Sequence, residues 1–123
     1  MPSSRAVLVI KAGLGVMQRF IEVSDIPTQQ VLTFLTVAAQ ASETVMADLA
    51  EATGVAQSSV SRNCSVLGEG MYVQGSFKKG YGLIESFDDP RFRRRKLVKL
   101  TARGEDLVKE LDRATVRLLT PKE

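Results

Sequence analysis

The side chains in this sequence with the most chemical potential are donors suited to a polyanion, and they fall in two clusters. The first lies within Val45 to Leu67, VMADLAEATGVAQSSVSRNCSVL. Val60, Cys64 and Leu67 recur there at i, i+4 and i+7, which predicts one apolar helix face and leaves Gln57, Ser58, Ser59, Ser61, Arg62 and Ser65 toward solvent. That outer face carries hydroxyls, an amide and a guanidinium but no carboxylate, the set needed to hydrogen-bond base edges and phosphates in a major groove. Upstream, Leu49 and Ala50 share a face of a shorter predicted helix, Gly54 interrupts it, and Val55 re-enters the core. Two helices joined by a tight glycine-containing turn describe a helix-turn-helix over 45–67. The same residues also describe an ordinary helical hairpin with a solvated face.

The second cluster is Arg91, Arg93, Arg94, Arg95 and Lys96, five cations within six positions. Leu83 to Phe87 and Arg95 to Leu100 have strand-like patterns on either side, so 82–100 is expected to form a basic hairpin. Arginine suits bidentate phosphate contact and insertion into a narrow minor groove. Cations this close repel one another, which weighs against a surface that meets only water. Between the clusters, 68–81 is rich in glycine and carries Tyr72, Phe77, Tyr81, Lys78 and Lys79. It is expected to be an irregular loop or a short β-ribbon, either a flexible insertion or an arm that brings Lys78 and Lys79 near phosphates or a partner. Its glycines match neither GxGxxG nor GxxxxGK[ST], so no nucleotide site follows.

Several chemistries are excluded. The 123 residues contain no histidine and one cysteine, which rules out an intramolecular disulfide, Cys/His zinc sites and histidine-based nucleophile systems. Cys64 shares the inward face with Val60 and Leu67 and is expected to be a small buried hydrophobe. Tyr72 or Tyr81 as a nucleophile, or Glu85 with Asp88 and Asp89 as metal ligands, lack a supporting base, so no enzyme, catalytic residue, metal or cofactor is expected. The apolar run Ala6 to Ile10 is broken by Lys11, so neither a signal peptide nor a membrane span is expected, and a cytoplasmic location is the default.

The remaining elements must position the two clusters. Val7, Ile10, Leu14, Met17 and Ile21 form a helical stripe within 1–23, facing either its own domain or a second copy. Pro27 suits the first turn of a second helix, Thr28 to Gln40, with Val31, Leu35, Ala38 and Ala39 on one face. Ala41 to Thr44 is expected to be a polar connection with capping residues before a helix from Val45 to Thr53. Thr101 then caps a last helix, 101–119, striped by Leu107, Leu111, Ala114 and Leu118. A chain of this length accommodates a single domain, 1–123, mainly α with a small β-hairpin wing, that dimerises through its terminal helices. The net charge of +3 is unevenly spread: about −2 over 1–56, +6 over 57–103 and −1 over 104–123. A segregated basic region is the footprint of a polyanion partner.

Leu49-Ala50, Gly54-Val55 and Val60-Ser61-Arg62, then Gly82-Leu83-Ile84, Asp89-Pro90, Arg93-Arg94, Leu100-Thr101 and Gly104 together resemble the LA…GV…SR and GLI…DPxDRR…LTxxG patterns of the MarR family of bacterial transcription regulators. The resemblance covers about residues 27–119. It implies a winged helix-turn-helix in which helix 57–67 enters the major groove and the wing flanks it. Two departures stand out. Phe92 replaces the wing aspartate, removing a carboxylate that would orient neighbouring arginines. The interval from Leu67 to Gly82 is eleven residues longer than usual, so either the helix and its loop are extended or an extra element is present.

The expected function is a homodimeric, sequence-specific regulator of transcription that binds double-stranded DNA, most simply a repressor. Gln57, Ser58, Ser59, Ser61 and Arg62 would act in the major groove, with Arg91, Arg93, Arg94, Arg95, Lys78 and Lys79 on flanking DNA. The rivals are a winged-helix module for an acidic protein and a replication or recombination accessory protein that binds DNA. No residue specifies a small-molecule effector.

Overall fold

The computed structural model describes residues 4–119. Along the chain these form α1 (Arg5–Ile21), α2 (Thr28–Ala38), β1 (Thr44–Val45), α3 (Met46–Thr53), α4 (Gln57–Leu67), β2 (Gly70–Val73), β3 (Ser76–Lys79), β4 (Ile84–Asp88), β5 (Lys96–Leu100) and α5 (Ala102–Leu119). They group into two compact units, Met1–Ile26 with Asp106–Glu123, and Pro27–Glu105.

In the first unit, α1 starts where the Ser4 hydroxyl accepts the Val7 N–H at 3.3 Å, satisfying one of the donors a helix start leaves open. It ends at Glu22, whose left-handed backbone (φ 59°) stops the helical repeat. Val16, Met17 and Ile21 are buried, as is Leu107 of α5. The rest of the α1 stripe is not: Val7, Ile10 and Leu14 are exposed, as are Val116 and Leu119 of α5. Gly13 lies close to α5, where an added Cβ would stand 3.7 Å from Leu111 Cδ2.

The second unit carries both clusters. Val31, Phe34 and Val37 of α2, Leu49 of α3, and Val60, Cys64 and Leu67 of α4 are buried with Leu83, Ile84, Leu97 and Val98. At about 1.5–3 kcal/mol for each large apolar side chain, this burial is the main force holding the helices on the sheet. The sheet is antiparallel with order β1-β5-β4. Ile84 faces Leu100 and Asp88 faces Lys96, so β4 and β5 are a hairpin whose tip is the arginine segment. At its base the Thr101 hydroxyl donates to the Gly82 carbonyl (2.5 Å) and accepts the Gly104 N–H (3.1 Å), capping α5 while fixing the hairpin.

Several local expectations change. Thr44 and Val45, expected to be part of a polar connection and the first turn of a helix, form β1 and pair with Val98 and Leu97. No side chain caps α3, which begins one residue later than expected. α2 ends at Ala38, and Pro27 precedes its first turn as the N-cap, where its missing N–H costs nothing. Of the two alternatives expected for the glycine-rich segment, the short β-ribbon is the one that forms, as β2–β3, and α4 is not extended.

Candidate nucleic-acid interface

Gly54 makes the helix-turn-helix possible. It closes α3 with φ 72°, donating its N–H to the Ala50 carbonyl at 3.0 Å, a backbone state that a side chain would strain. The turn delivers Val55 to the core and starts α4 at Gln57. Val60, Asn63, Cys64 and Leu67 face inward, leaving Gln57, Ser58, Ser61 and Arg62 exposed and Ser59 half-buried. No side chain caps the α4 N-terminus, so its first N–H groups are open to an outside acceptor. Burial pushes the Cys64 thiol up to about 11, so it stays a protonated, inert packing group.

A groove of about 350 Å³ joins this helix to the hairpin tip. Its walls are Gln57, Val60 and Ser61 of α4, Met46 and Ala47 of α3, and Phe92, Arg94, Arg95 and Lys96. The N-terminal half of α4 and the tip of the β4–β5 wing therefore share one concave surface. Gln57 is braced there by its amide, which donates to the Ala47 carbonyl at 3.3 Å.

The tip is organised by Asp89. Its side chain is buried, accepting the Arg91 N–H at 2.9 Å on Oδ1 and Arg95 Nε at 3.1 Å on Oδ2. The Arg91 amide, followed by the Arg95 hydrogen bond and charge, holds the carboxyl below the usual range against the opposing effect of burial. Arg95 Cζ also stands 5.0 Å from the Phe92 ring centroid. Asp89 thus orients the arginines from within the turn, and Phe92 gives Arg95 an aromatic support. Lys96 pairs with Asp88 at 2.6 Å. Arg62, Arg93 and Arg94 are exposed and make no ion pair among the described residues, leaving their guanidinium groups open.

Lys78 and Lys79 are exposed on β3 but do not line this groove. Their ribbon is rooted at the other end of α4, where the N–H groups of Tyr81 and Leu83 donate to the carbonyls of Val66 and Leu67 at 2.9 and 2.8 Å. Lys96, part of the expected basic cluster, lines the groove, whereas Asp89, which shapes the tip, was not among the expected site residues. The signal for Asp89 was its place at the start of the arginine turn, where an Asp side chain can bond the backbone two residues on.

No protein-family model matches the chain, and no curated protein is significantly similar to it. Solved structures do match. RV1404 from Mycobacterium tuberculosis gives a TM-score of 0.67 at 22% identity, over 93% of this chain and 68% of that one. The PcaV transcriptional regulator from Streptomyces coelicolor, in complex with its natural ligand, gives 0.58 at 19% identity, over 93% and 72%. A mutant MarR from E. coli, complexed with operator DNA, gives 0.58 at 17% identity, over 89% and 69%. The chain has the MarR-like winged-helix fold. In that frame β4–β5 is the wing, α4 is the second helix of the helix-turn-helix, and the β2–β3 ribbon lies between them in the chain. Among the described residues, no cluster of His, Cys, Asp and Glu could hold a metal, and no helix is long and apolar enough to cross a membrane.

Proposed function

We propose that this chain is a sequence-specific transcription regulator that binds double-stranded DNA as a homodimer and acts as a repressor by occupying its site. The observation that carries the reading is the shared groove, in which Gln57 and Ser61 of α4 meet Arg94, Arg95 and Lys96 of the wing. A duplex seated there meets hydroxyl and amide donors at the helix and guanidinium groups beside it. Ser58, Ser59, Ser61 and Arg62 then reach base edges and nearby phosphates, while Arg91, Arg93 and Arg94 follow the flanking backbone or minor groove. Arg95, tied to Asp89, sets the shape of the wing and adds its positive charge. The +6 balance of residues 57–103 supplies the long-range attraction. That a structural neighbour of the same fold was crystallised on operator DNA supports the reading.

Dimerisation is supported by the apolar side chains that the first unit leaves uncovered, Val7, Ile10 and Leu14 of α1 and Val116 and Leu119 of α5. A second copy covers them, and two-fold symmetry then requires a nearly palindromic site with half-site centres about one helical turn apart. Selecting bound duplexes from a random pool tests both statements. A palindromic consensus with that spacing is expected, and recovery of duplexes with no shared sequence would overturn sequence-specific recognition.

A further inference from the structure

The β2–β3 ribbon belongs to neither the core nor the groove. Its register is Gly70↔Lys79, Met71↔Lys78, Tyr72↔Phe77 and Val73↔Ser76. Alternation puts Tyr72, Phe77 and Lys79 on one face, with Met71, Val73, Ser76 and Lys78 on the other. Tyr72 and Phe77 are 74% and 54% exposed, and their rings meet edge to face with centroids 5.2 Å apart. An aromatic pair is therefore assembled in the open, ready to cover apolar surface on something else.

The ribbon is also held in place. Besides the bonds from Tyr81 and Leu83, the N–H groups of Gly80 and Gly82 donate to the carbonyls of Glu69 and Gly68 at 3.0 and 2.9 Å. The strands cross so closely at this root that a Cβ on Gly80 would collide with the Gly68 carbonyl oxygen. About five residues of α4, roughly 8 Å of helix, separate Ser61 in the groove from the root at Val66. Phosphates are a poor match for the ribbon, because they offer the two rings no apolar partner and Lys78 and Lys79 project from opposite faces.

β3 is exposed along its whole length and, among the described residues, pairs only with β2, so its outer edge offers backbone donors and acceptors with no strand partner there. We propose that this edge is a docking site for an extended acidic segment of another protein, added as a third strand. Strand addition places alternate side chains of the incoming segment on the two faces. One apolar residue packs beside Phe77 and Tyr72, and carboxylates beside it and on the opposite face meet Lys79 and Lys78. Neither lysine has an ion pair among the described residues. Two lysines on one edge repel a second copy of the same strand and select an acidic one, and the fixed root reduces the ordering cost of binding.

The test is a displayed library of random ten-residue peptides panned on the full chain. The expected result is enrichment of peptides that alternate Asp or Glu around one aromatic or aliphatic residue. The best peptide should slow amide exchange across Ser76–Lys79. It should bind about tenfold or more weakly to Tyr72→Ser/Phe77→Ser and to Lys78→Glu/Lys79→Glu. The oligomeric state should be unchanged in both variants, and affinity for random duplex DNA should be unchanged in the aromatic variant, which leaves the +6 balance of residues 57–103 intact. Failure to enrich acidic peptides overturns the proposal, as does equal binding to the variants. A loss of duplex affinity in the aromatic variant would make the ribbon a DNA contact instead, and a change of oligomeric state would make it a contact between copies.

Discussion

Asp89 Oδ2 lies 3.0 Å from Nη2 of Arg95, with the carboxylate buried and the guanidinium half in solvent. This pair, with the Arg91 N–H on the other carboxylate oxygen, fixes the backbone of the wing tip from inside. Asp89→Asn removes the charge while keeping the size, and should lower affinity for duplex DNA about tenfold by loosening Arg91 and Arg95, in line with the energies of charged hydrogen bonds. The pH dependence has a definite sign. A carboxyl whose pKa is lowered by folding contributes stability above its unfolded value, near 3.9, and loses it as pH falls through the lower folded value. Thermal melts of the wild type should therefore show an acid-side loss below about pH 4 that the Asn variant lacks. Identical acid limbs in the two proteins would show that the pair is not holding the fold.

Arg93 and Arg94 differ from Arg95 in having no carboxylate partner among the described residues, so their charge is available to phosphates. Arg93→Ala and Arg94→Ala should each weaken binding nearly uniformly across sequences. Each should also flatten the log–log salt dependence by about 0.9 for every phosphate that the variant no longer neutralises. Titrations at several salt concentrations measure this directly, and parallel slopes would remove both residues from the interface.

Arg62 projects from the exposed side of α4, so its truncation should alter which bases are preferred and not only how tightly DNA is held. Without a bidentate pair of hydrogen bonds to guanine, discrimination at one position of each half-site falls by about 1–3 kcal/mol. Duplex selection repeated with Arg62→Ala reads the change. A wild-type preference with uniformly lower affinity would reassign Arg62 to a phosphate.

Phe34 is fully buried where α2 meets the rest of its unit, and Phe34→Ala should cost about 3–5 kcal/mol in chemical denaturation. Gly80→Ala acts at one place only, forcing the root strands apart. It should cost about 1–3 kcal/mol and raise amide exchange in Gly70–Lys79 ahead of the core. Uniform protection in the Ala variant would mean that the root is looser than its hydrogen bonds indicate.

Elements with a strong periodic signal were legible before any coordinates. α4 begins at Gln57 as expected because Val60, Cys64 and Leu67 recur at helical spacing, and the wing is legible because its strands flank a dense arginine turn. β1 was not legible: two residues are too few to alternate, and their partners, Val98 and Leu97, are over fifty residues away in sequence. The α1 stripe is helical as expected, but periodicity does not say which end is covered, and Val7 and Ile10 are exposed while Met17 and Ile21 are not. Asn63 is buried on α4, its amide 3.5 Å from Gln29 Oε1, a polar residue on an inward face that apolar periodicity passes over. Lys78 and Lys79 look continuous with the basic region in sequence, yet their ribbon is rooted at the C-terminal end of α4 while the groove lies along its N-terminal half. Only topology separates them.

The central claim is that Ser61 and Arg94 face one and the same duplex. On a Cys64→Ala background, Ser61→Cys and Arg94→Cys can each carry a short photo-crosslinker, with the attachment points on bound DNA mapped to the nucleotide. Crosslinks are expected from both positions on a single half-site, those from position 61 on bases in the major groove and those from position 94 on flanking nucleotides within about half a helical turn. Persistent DNA binding with position 61 failing to crosslink, or with the two positions mapping to separate duplexes, would contradict the claim.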